Sequence, residues 1–499
     1  MPRMMLTVPE TRMLQQMIAI VMVSLLVGQT NMNRATGQEN KSAKPAAYFA
    51  EGTITAWKKA GAKVGWFGIK EGFHMAFAEH PEGLKAAVPA FMFTELEGDV
   101  LLNLPEPGLQ FGLILKNGIV KDPQLKDLAR LTKLQTLDLS FSDVTDAGLK
   151  NLGQLTNLQI LNLSGTKVTD GGLKDLARLT KLQTLVLSFC GVTDAGLKTV
   201  SKFTNLRSLD LNGATVTDTG LKDLARLTKL QSLSLHDTRV TDAGMKDLAT
   251  LTNLQVLILS GITVTDAGMK DLAMLTKMES LGLFFTKVTD AGLKDLARLT
   301  NLQNLGLPGT RVTDAGMKDL ARLTKLRALD ISSTQVTEAG LRIVGRLTNL
   351  ENLVLSLNPV TDAELKELAN LMNLQILNLS GTQVTDAGVK GLAKLTNLQT
   401  LDLSSTKVTD AGVKNLVRLI KLKKLDLSFT QVTDAGLKDL ARLTNLQSLV
   451  LIFTGVTDAG LKDLARLTNL KKLQLSNSKV TNAGVTELRS KLPGCLISK

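Results

Sequence analysis

Leu158-Gln-Ile160-Leu161-Asn162-Leu163-Ser164-Gly-Thr166-Lys-Val-Thr-Asp170-Gly-Gly172-Leu173-Lys174-Asp175-Leu176-Ala-Arg178-Leu179-Thr-Lys181 is one 24-residue stretch of a chain built from its repetition. Steps of 24 from Leu113 land on leucine every time, through Leu137, Leu161 and Leu185 to Leu473. That makes 16 units without an insertion or a deletion. Self-similarity at a fixed period of this size is the signature of a stacked-repeat architecture, so it outranks every other reading.

Each unit has two halves of different period. Leu161 and Leu163 alternate with Ile160, Asn162 and Ser164, which places them on opposite sides of a short strand. Leu173, Leu176 and Leu179 are three apart, the spacing of one helix face. Asp170 stands at the junction, and Asp fills its place in 14 of 16 units, with Glu338 and Asn482 as exceptions. A short carboxylate there suits the first free N–H groups of a helix and the positive end of its dipole. Glycine follows two residues later, as at Gly148, Gly172 and Gly196, with Gln124 and Glu364 as exceptions. Such a column predicts close backbone packing in the first turn.

One strand and one helix cannot bury their own leucines, and stacked neighbours can. The expected fold is therefore α/β: a solenoid with a parallel inner sheet and outer helices. Sixteen strands at about 4.8 Å each give an inner arc of roughly 75 Å, curved like a horseshoe because helices are wider than strands. The pattern resembles the leucine-rich repeat family over residues 110 to about 495. The Val-Thr-Asp-Ala-Gly-Leu phrase is similar to bacterial members related to the ribonuclease-inhibitor-like and cysteine-containing subclasses. That family usually places Asn or Cys after the strand, bonded to the neighbouring turn. This chain has mostly Thr there (Thr166, Thr238, Thr286, Thr310), with Cys190 and Asn358 as single cases. A shorter hydroxyl predicts a tighter or partly hydrated turn ladder.

Composition removes several function classes. The chain of 499 residues is 44% hydrophobic and 3% aromatic with a net charge of +13, which excludes a disordered chain. Cys190 and Cys495 are more than 12 repeats apart and cannot form a disulfide framework. Three histidines leave little material for acid–base or metal chemistry. His74 and His80 flank Glu79 but lack a third ligand at sensible spacing. His236 beside Asp237 lacks a nucleophile. No cofactor and no enzymatic activity are expected.

The ends differ from the repeats. Residues 1–29 place Arg3 and Arg12 before a run of about a dozen apolar residues. This is the pattern of an export signal, with an uncleaved membrane anchor as the alternative. The expected location is the periplasm, cell surface or extracellular space. Residues 30–47 form a polar linker. Residues 48–109 hold both tryptophans and six of 14 phenylalanines and suit an N-terminal cap, with a helix over Ile54–Gly61 and a strand over Val100–Leu104. Residues 110–484 are the repeats, and 485–499 form a C-terminal cap, with a helix over Val485–Leu492 and a last strand in the tail.

Residues 1–109 carry ten basic and ten acidic side chains, so the whole +13 falls on residues 110–499. Lysines recur at Lys150, Lys174 and Lys198, and arginines four residues after that column at Arg178, Arg226 and Arg298. Residues four apart share a helix face. The columns read as a solvated outer stripe in which Asp175 can pair with Arg178. Weak attraction to polyanions or an anionic envelope is the sharper reading. Few aromatic platforms and an export signal argue against specific nucleic-acid binding.

Exposed strand positions vary while the leucines do not. Serine dominates one inner column (Ser140, Ser164, Ser188, Ser260), and large residues interrupt it. Phe141, Phe189, His236, Asp237, Phe284, Phe285, Phe429 and Phe453 are the candidate contacts of a concave binding face, since aromatics often dominate binding energy. The alternative is that these rings pack on neighbouring turns. Asp138, Asp210, Asp330, Asp402 and Asp426 add acidity to the same face. The reading is a non-enzymatic scaffold for an unidentified protein or envelope ligand. A structural or adhesive surface protein, an exported ubiquitin-ligase adaptor, and an activity within 48–109 stand as alternatives; the adaptor needs an F-box before the repeats, and none is evident.

Overall fold

The computed structural model describes residues 49–71, 73–96 and 98–499. The export segment 1–29 and the linker 30–47 lie outside the described residues. Among the described residues no helix is long and apolar enough to cross a membrane. The described residues divide into two compact units, one ending at Thr286 and the other beginning at Lys287.

The first unit begins with helix α1 (Glu51–Lys59), followed by strands β1 (Lys63–Glu71), β2 (His74–Ala78) and β3 (Lys85–Met92). β1 lies between β2 and β3 and is antiparallel to both. β3 then pairs in parallel with the first repeat strand, β4 (Phe111–Ile114), placing Phe91 opposite Leu113. Aromatic packing closes this end. Trp57 is fully buried and stacks on Phe91 with ring centroids 4.2 Å apart. Phe49 stacks on the same ring, and Phe93 and Phe111 flank Trp57. The indole Nε1 donates to Pro105 O at 2.9 Å.

Val100–Asn103 is a 3₁₀ helix and not the expected strand. Leu101 and Leu104 are buried while Leu102 is exposed, a spacing of three that a strand cannot present to one side. The Arg130 guanidinium donates to the Leu101 and Leu104 carbonyls.

From β4 onward, parallel strands recur every 24 residues to Ser280–Gly282, and helices alternate with them from Asp122–Leu128 to Asp266–Leu272. Leu137 pairs with Leu161, Leu161 with Leu185, and Leu185 with Leu209 in unbroken register. Each strand sends its central leucine into the core, where helix leucines such as Leu149 and Leu152 meet it with no exposed surface. Burying one such side chain stabilises by about 2 kcal/mol, and the column is continuous because each unit covers its neighbour.

The second unit repeats this plan. Helices run from Asp290–Leu296, and strands from Asn304–Gly306 to Lys472–Gln474. The last helix spans Asn482–Lys491, and the tail strand Leu496–Ser498 pairs in parallel with Lys472–Gln474. Its Ile497 stands opposite Leu473, one further step of 24. Both units are leucine-rich solenoids with a parallel strand layer and a helical layer.

Two polar columns differ in role from the sequence expectation. From the second repeat onward the N-cap is the threonine before the aspartate: Thr145 accepts from Ala147 N. The aspartate joins neighbouring units. Asp146 Oδ1 accepts from Thr169 N at 2.7 Å, and Oδ2 accepts from the Thr169 hydroxyl at 2.6 Å. The same pair of bonds links Asp170 to Thr193 and Asp362 to Thr385. This carboxylate also explains the glycine column. A Cβ at Gly172 would lie 2.5 Å from Asp146 Oδ1, and one at Gly388 would lie 2.4 Å from Asp362 Oδ1.

The threonines after the strands close their own turns and form no ladder. Thr166 Oγ1 donates to Leu163 O at 2.6 Å. Only the longer side chains reach the neighbouring turn: Cys190 Sγ to Leu163 O at 3.0 Å and Asn358 Nδ2 to Ile331 O at 2.7 Å.

Candidate strand-edge binding column

The chain leaves each strand through a residue with positive φ. In the first unit this is Asn117, Phe141, Gly165, Phe189, Gly213, Asp237, Gly261 and Phe285; in the second it is Gly309, Ser333, Leu357, Gly381, Ser405, Phe429, Phe453 and Asn477. The turn fixes this conformation because the same N–H donates to the next unit. Phe141 N reaches Ser164 O at 2.7 Å, and Phe429 N reaches Ile452 O at 2.8 Å. Glycine accepts such a backbone freely, and Asn is the next most tolerant type. Bulky side chains are outliers there.

Six bulky residues occupy this column and stay exposed: Phe141 (59%), Phe189, Phe285, Leu357 (68%), Phe429 and Phe453. Three of them lie along the column onto the next glycine. A Cβ at Gly165 would be 2.6 Å from Phe141 Cδ1, and Gly213 and Gly381 stand in the same relation to Phe189 and Leu357. Phe429 and Phe453 occupy successive units and stack on each other, centroids 4.8 Å apart and planes 20° apart. Each packed side chain thus keeps an open flank.

Two of the candidates are buried, which corrects their reading as surface contacts. Phe284 is 1% exposed and His236 7% exposed. Both precede the positive-φ residue and share the buried column of Ser140, Ser164 and Ser260. A side chain there lies along the strand ends: Gly261 has the His236 ring 3.4 Å from where its Cβ would be. His236 Nδ1 lies 3.0 Å from Ser260 O, so this nitrogen carries the proton. Burial holds the imidazole below its usual pKa. Asp237 is half-buried with φ +54°. His74 and His80 are exposed, and among the described residues no group of three His, Cys, Asp or Glu side chains gathers as a metal site.

The acidic column has a local structural role. Asp138 Oδ1 accepts from Ser140 N at 2.9 Å, closing the turn out of the strand. Asp330 does the same with Ser332 N and its hydroxyl. Asn162 and Asn378 serve equally. Burial between neighbouring strands pushes the Asp210 and Asp330 carboxyls up to about 6, against the hydrogen bonds from Asn212 and Ser332 that lower them. On the outer helices, the observed ion pairs include Arg342 with Glu338, and none joins Asp175 to Arg178.

Leu357 escaped the sequence reading because a leucine in a leucine lattice looks like core. The available signal was position: nine steps of 24 from Phe141 land on it.

Family profiles match the repeats. One described as a leucine-rich repeat region covers residues 181–364. Two others, for leucine-rich repeats in two copies and for a single repeat, cover 373–416 and 130–153, 154–177 and 418–441. Together they span more than half of the chain. An internalin of Listeria monocytogenes is 28% identical with a TM-score of 0.50, over 66% of this chain and 89% of its own. A leucine-rich-repeat protein of Leptospira interrogans is 26% identical with a TM-score of 0.51, over 74% of this chain and 91% of its own. No curated protein matches the chain. The unbroken register, the leucine core and these matches together make the chain a member of the leucine-rich-repeat proteins.

Proposed function

We propose that this chain is an exported, non-enzymatic scaffold that binds protein through exposed strand-edge side chains, Phe141, Phe189 and Phe285 in the first unit and Leu357, Phe429 and Phe453 in the second. One observation carries the reading. Six bulky apolar side chains are held in a left-handed backbone where other repeats use glycine or a small polar residue, and they stay exposed. An L-residue there costs roughly 1–2 kcal/mol, and local strain of this kind gathers at functional sites. The exposed flank of each side chain gives folding no return, whereas an aromatic anchor at an interface does.

In this reading residues 48–109 and 485–499 are caps over the repeats of 110–484, supported by the Trp57 cluster and by the tail strand. The charged and then apolar order of residues 1–29 supports export. The outer lysine and arginine columns are a solvated helix face.

Capture from a cell-envelope extract tests the proposal. The full chain is compared with Phe141→Ser/Phe189→Ser/Phe285→Ser and with Phe429→Ser/Phe453→Ser, each checked for native circular dichroism. Loss of captured protein in either variant is expected. An unchanged captured set in both defeats the reading.

A further inference from the structure

We infer that the strands Lys424–Asp426, Ser448–Val450 and Lys472–Gln474 form a docking face for a protein segment that is acidic at one end and apolar at the other. This deepens the scaffold reading above and rests on it.

Two features of these three strands carry the inference. At their starting edge, Lys424 pairs across Ser448 with Lys472 in parallel register, so the two lysines stand two strands apart, roughly 10 Å. Lys423 and Lys471 precede them, and all four side chains are exposed. Lys423 Nζ donates to Gln399 Oε1 at 2.9 Å. None of the ion pairs among the described residues includes any of the four. Four like charges on adjacent positions without an acidic partner repel one another, and opposite charge arriving from outside relieves that repulsion.

At the other edge of two of these strands stand Phe429 and Phe453. They are the only successive units that both place a bulky residue in the positive-φ column. The stacked pair makes a larger apolar surface than any single ring in that column. Lys424 and Phe429 are five residues apart, no more than about 17 Å at the rise of an extended strand. A short segment therefore spans both edges.

The residues between the edges select the class of partner. Asp426 stands between Lys424 and Phe429 on the first of these strands, and Asp402 lies opposite it in register on the strand before. A uniform polyanion running from the lysines to the phenylalanines would pass these carboxyls. A protein segment that confines its acidic residues to one end avoids them, and its apolar end meets the rings.

Fluorescence anisotropy on the full chain tests this with a labelled twelve-residue peptide bearing four glutamates at one end and two phenylalanines at the other. Saturable binding that weakens as salt rises is expected. Lys423→Glu/Lys424→Glu/Lys471→Glu/Lys472→Glu weakens it at least tenfold, as does Phe429→Ser/Phe453→Ser, while the charge-matched Lys150→Glu/Lys174→Glu/Lys198→Glu/Lys222→Glu on the exposed helix face leaves it within twofold. The inference is overturned by absence of saturable binding, or by a charge-reversed variant within twofold of wild type. Equal affinity for a peptide with glutamines in place of the glutamates overturns it, as does equal weakening in Lys150→Glu/Lys174→Glu/Lys198→Glu/Lys222→Glu. Tighter binding of a single-stranded oligonucleotide overturns it in favour of a polyanion. Envelope capture with the lysine variant separates the two readings. If capture depends on the phenylalanines but not on the lysines, only this inference falls. If it depends on neither, the scaffold reading falls as well.

Discussion

Glu364 Oε2 accepts from both the backbone N–H and the hydroxyl of Thr361, at 2.8 and 2.6 Å. Thr313, Thr337, Thr385, Thr409, Thr433, Thr457 and Thr481, in the same place of their repeats, take those two bonds from the aspartate of the preceding repeat. The repeat before Thr361 has Glu338 instead, and its longer side chain turns to Arg342 at 2.9 Å. Glu364 stands where other repeats have glycine, in the space that the missing carboxylate would fill. Gln124 is the same solution in the first repeat, where it accepts from Lys121 N at 2.9 Å. The two exceptions in the glycine column thus stand where the preceding aspartate is missing.

Removing the substitute carboxylate has a defined cost. Glu364→Ala leaves the Thr361 N–H and hydroxyl without their acceptor and lowers stability by about 1–2 kcal/mol. Glu338→Asp/Glu364→Gly rebuilds the arrangement of the other repeats and recovers most of the loss. Denaturant unfolding of the two variants checks this; a double variant less stable than Glu364→Ala alone contradicts it.

Two glycines of the helix Asp386–Leu392 should respond to alanine with opposite signs. Gly388→Ala drives a Cβ into Asp362 Oδ1 and weakens the bonds to Thr385, costing on the order of 2 kcal/mol. Gly391 has nothing within 4 Å of its would-be Cβ, and alanine there gains about 0.5–1 kcal/mol of helix stability. Thermal unfolding of the pair reads both signs.

The sequence made the lattice legible because leucine, aspartate and glycine each recur at one fixed step. It did not reveal what those polar columns bond. A helix-start reading assigns Asp170 to its own helix, whereas its partner Thr193 is 23 residues away in the next repeat. Phe284 and Phe285 look equivalent in the chain, but only Phe285 has positive φ, and that turn sends one ring inward and the other to solvent. Val100–Leu104 reads as a strand by composition, and its burial at a spacing of three shows otherwise.

Asp210 and Asp330 make stability depend on pH in a particular sense. Burial raises both carboxyls from the usual carboxylate range to about 6, so between roughly pH 4 and 6 the folded chain holds more protons than the unfolded one. Stability contributed by these groups therefore falls as pH rises through that window, and the penalty is complete above it. Asp210→Asn/Asp330→Asn keeps the turn-closing oxygen, as Asn162 and Asn378 do. The variant is expected to be more stable at pH 7 by on the order of 1–3 kcal/mol and flatter between pH 4 and 6. Unfolding midpoints across that range check it.

The most direct measurement concerns the positive-φ column, where phenylalanine is argued to serve a partner rather than the fold. Asparagine occupies the same place at Asn117 and Asn477 with φ of +65° and +57°. Melting temperature and envelope capture are therefore measured together on Phe141→Asn/Phe189→Asn/Phe285→Asn. Relief of the left-handed strain offsets the lost ring packing, so the expected result is a melting temperature equal to or above wild type with capture lost. A melting temperature lower by several degrees with capture intact would show that these rings serve the fold, and would contradict the binding column.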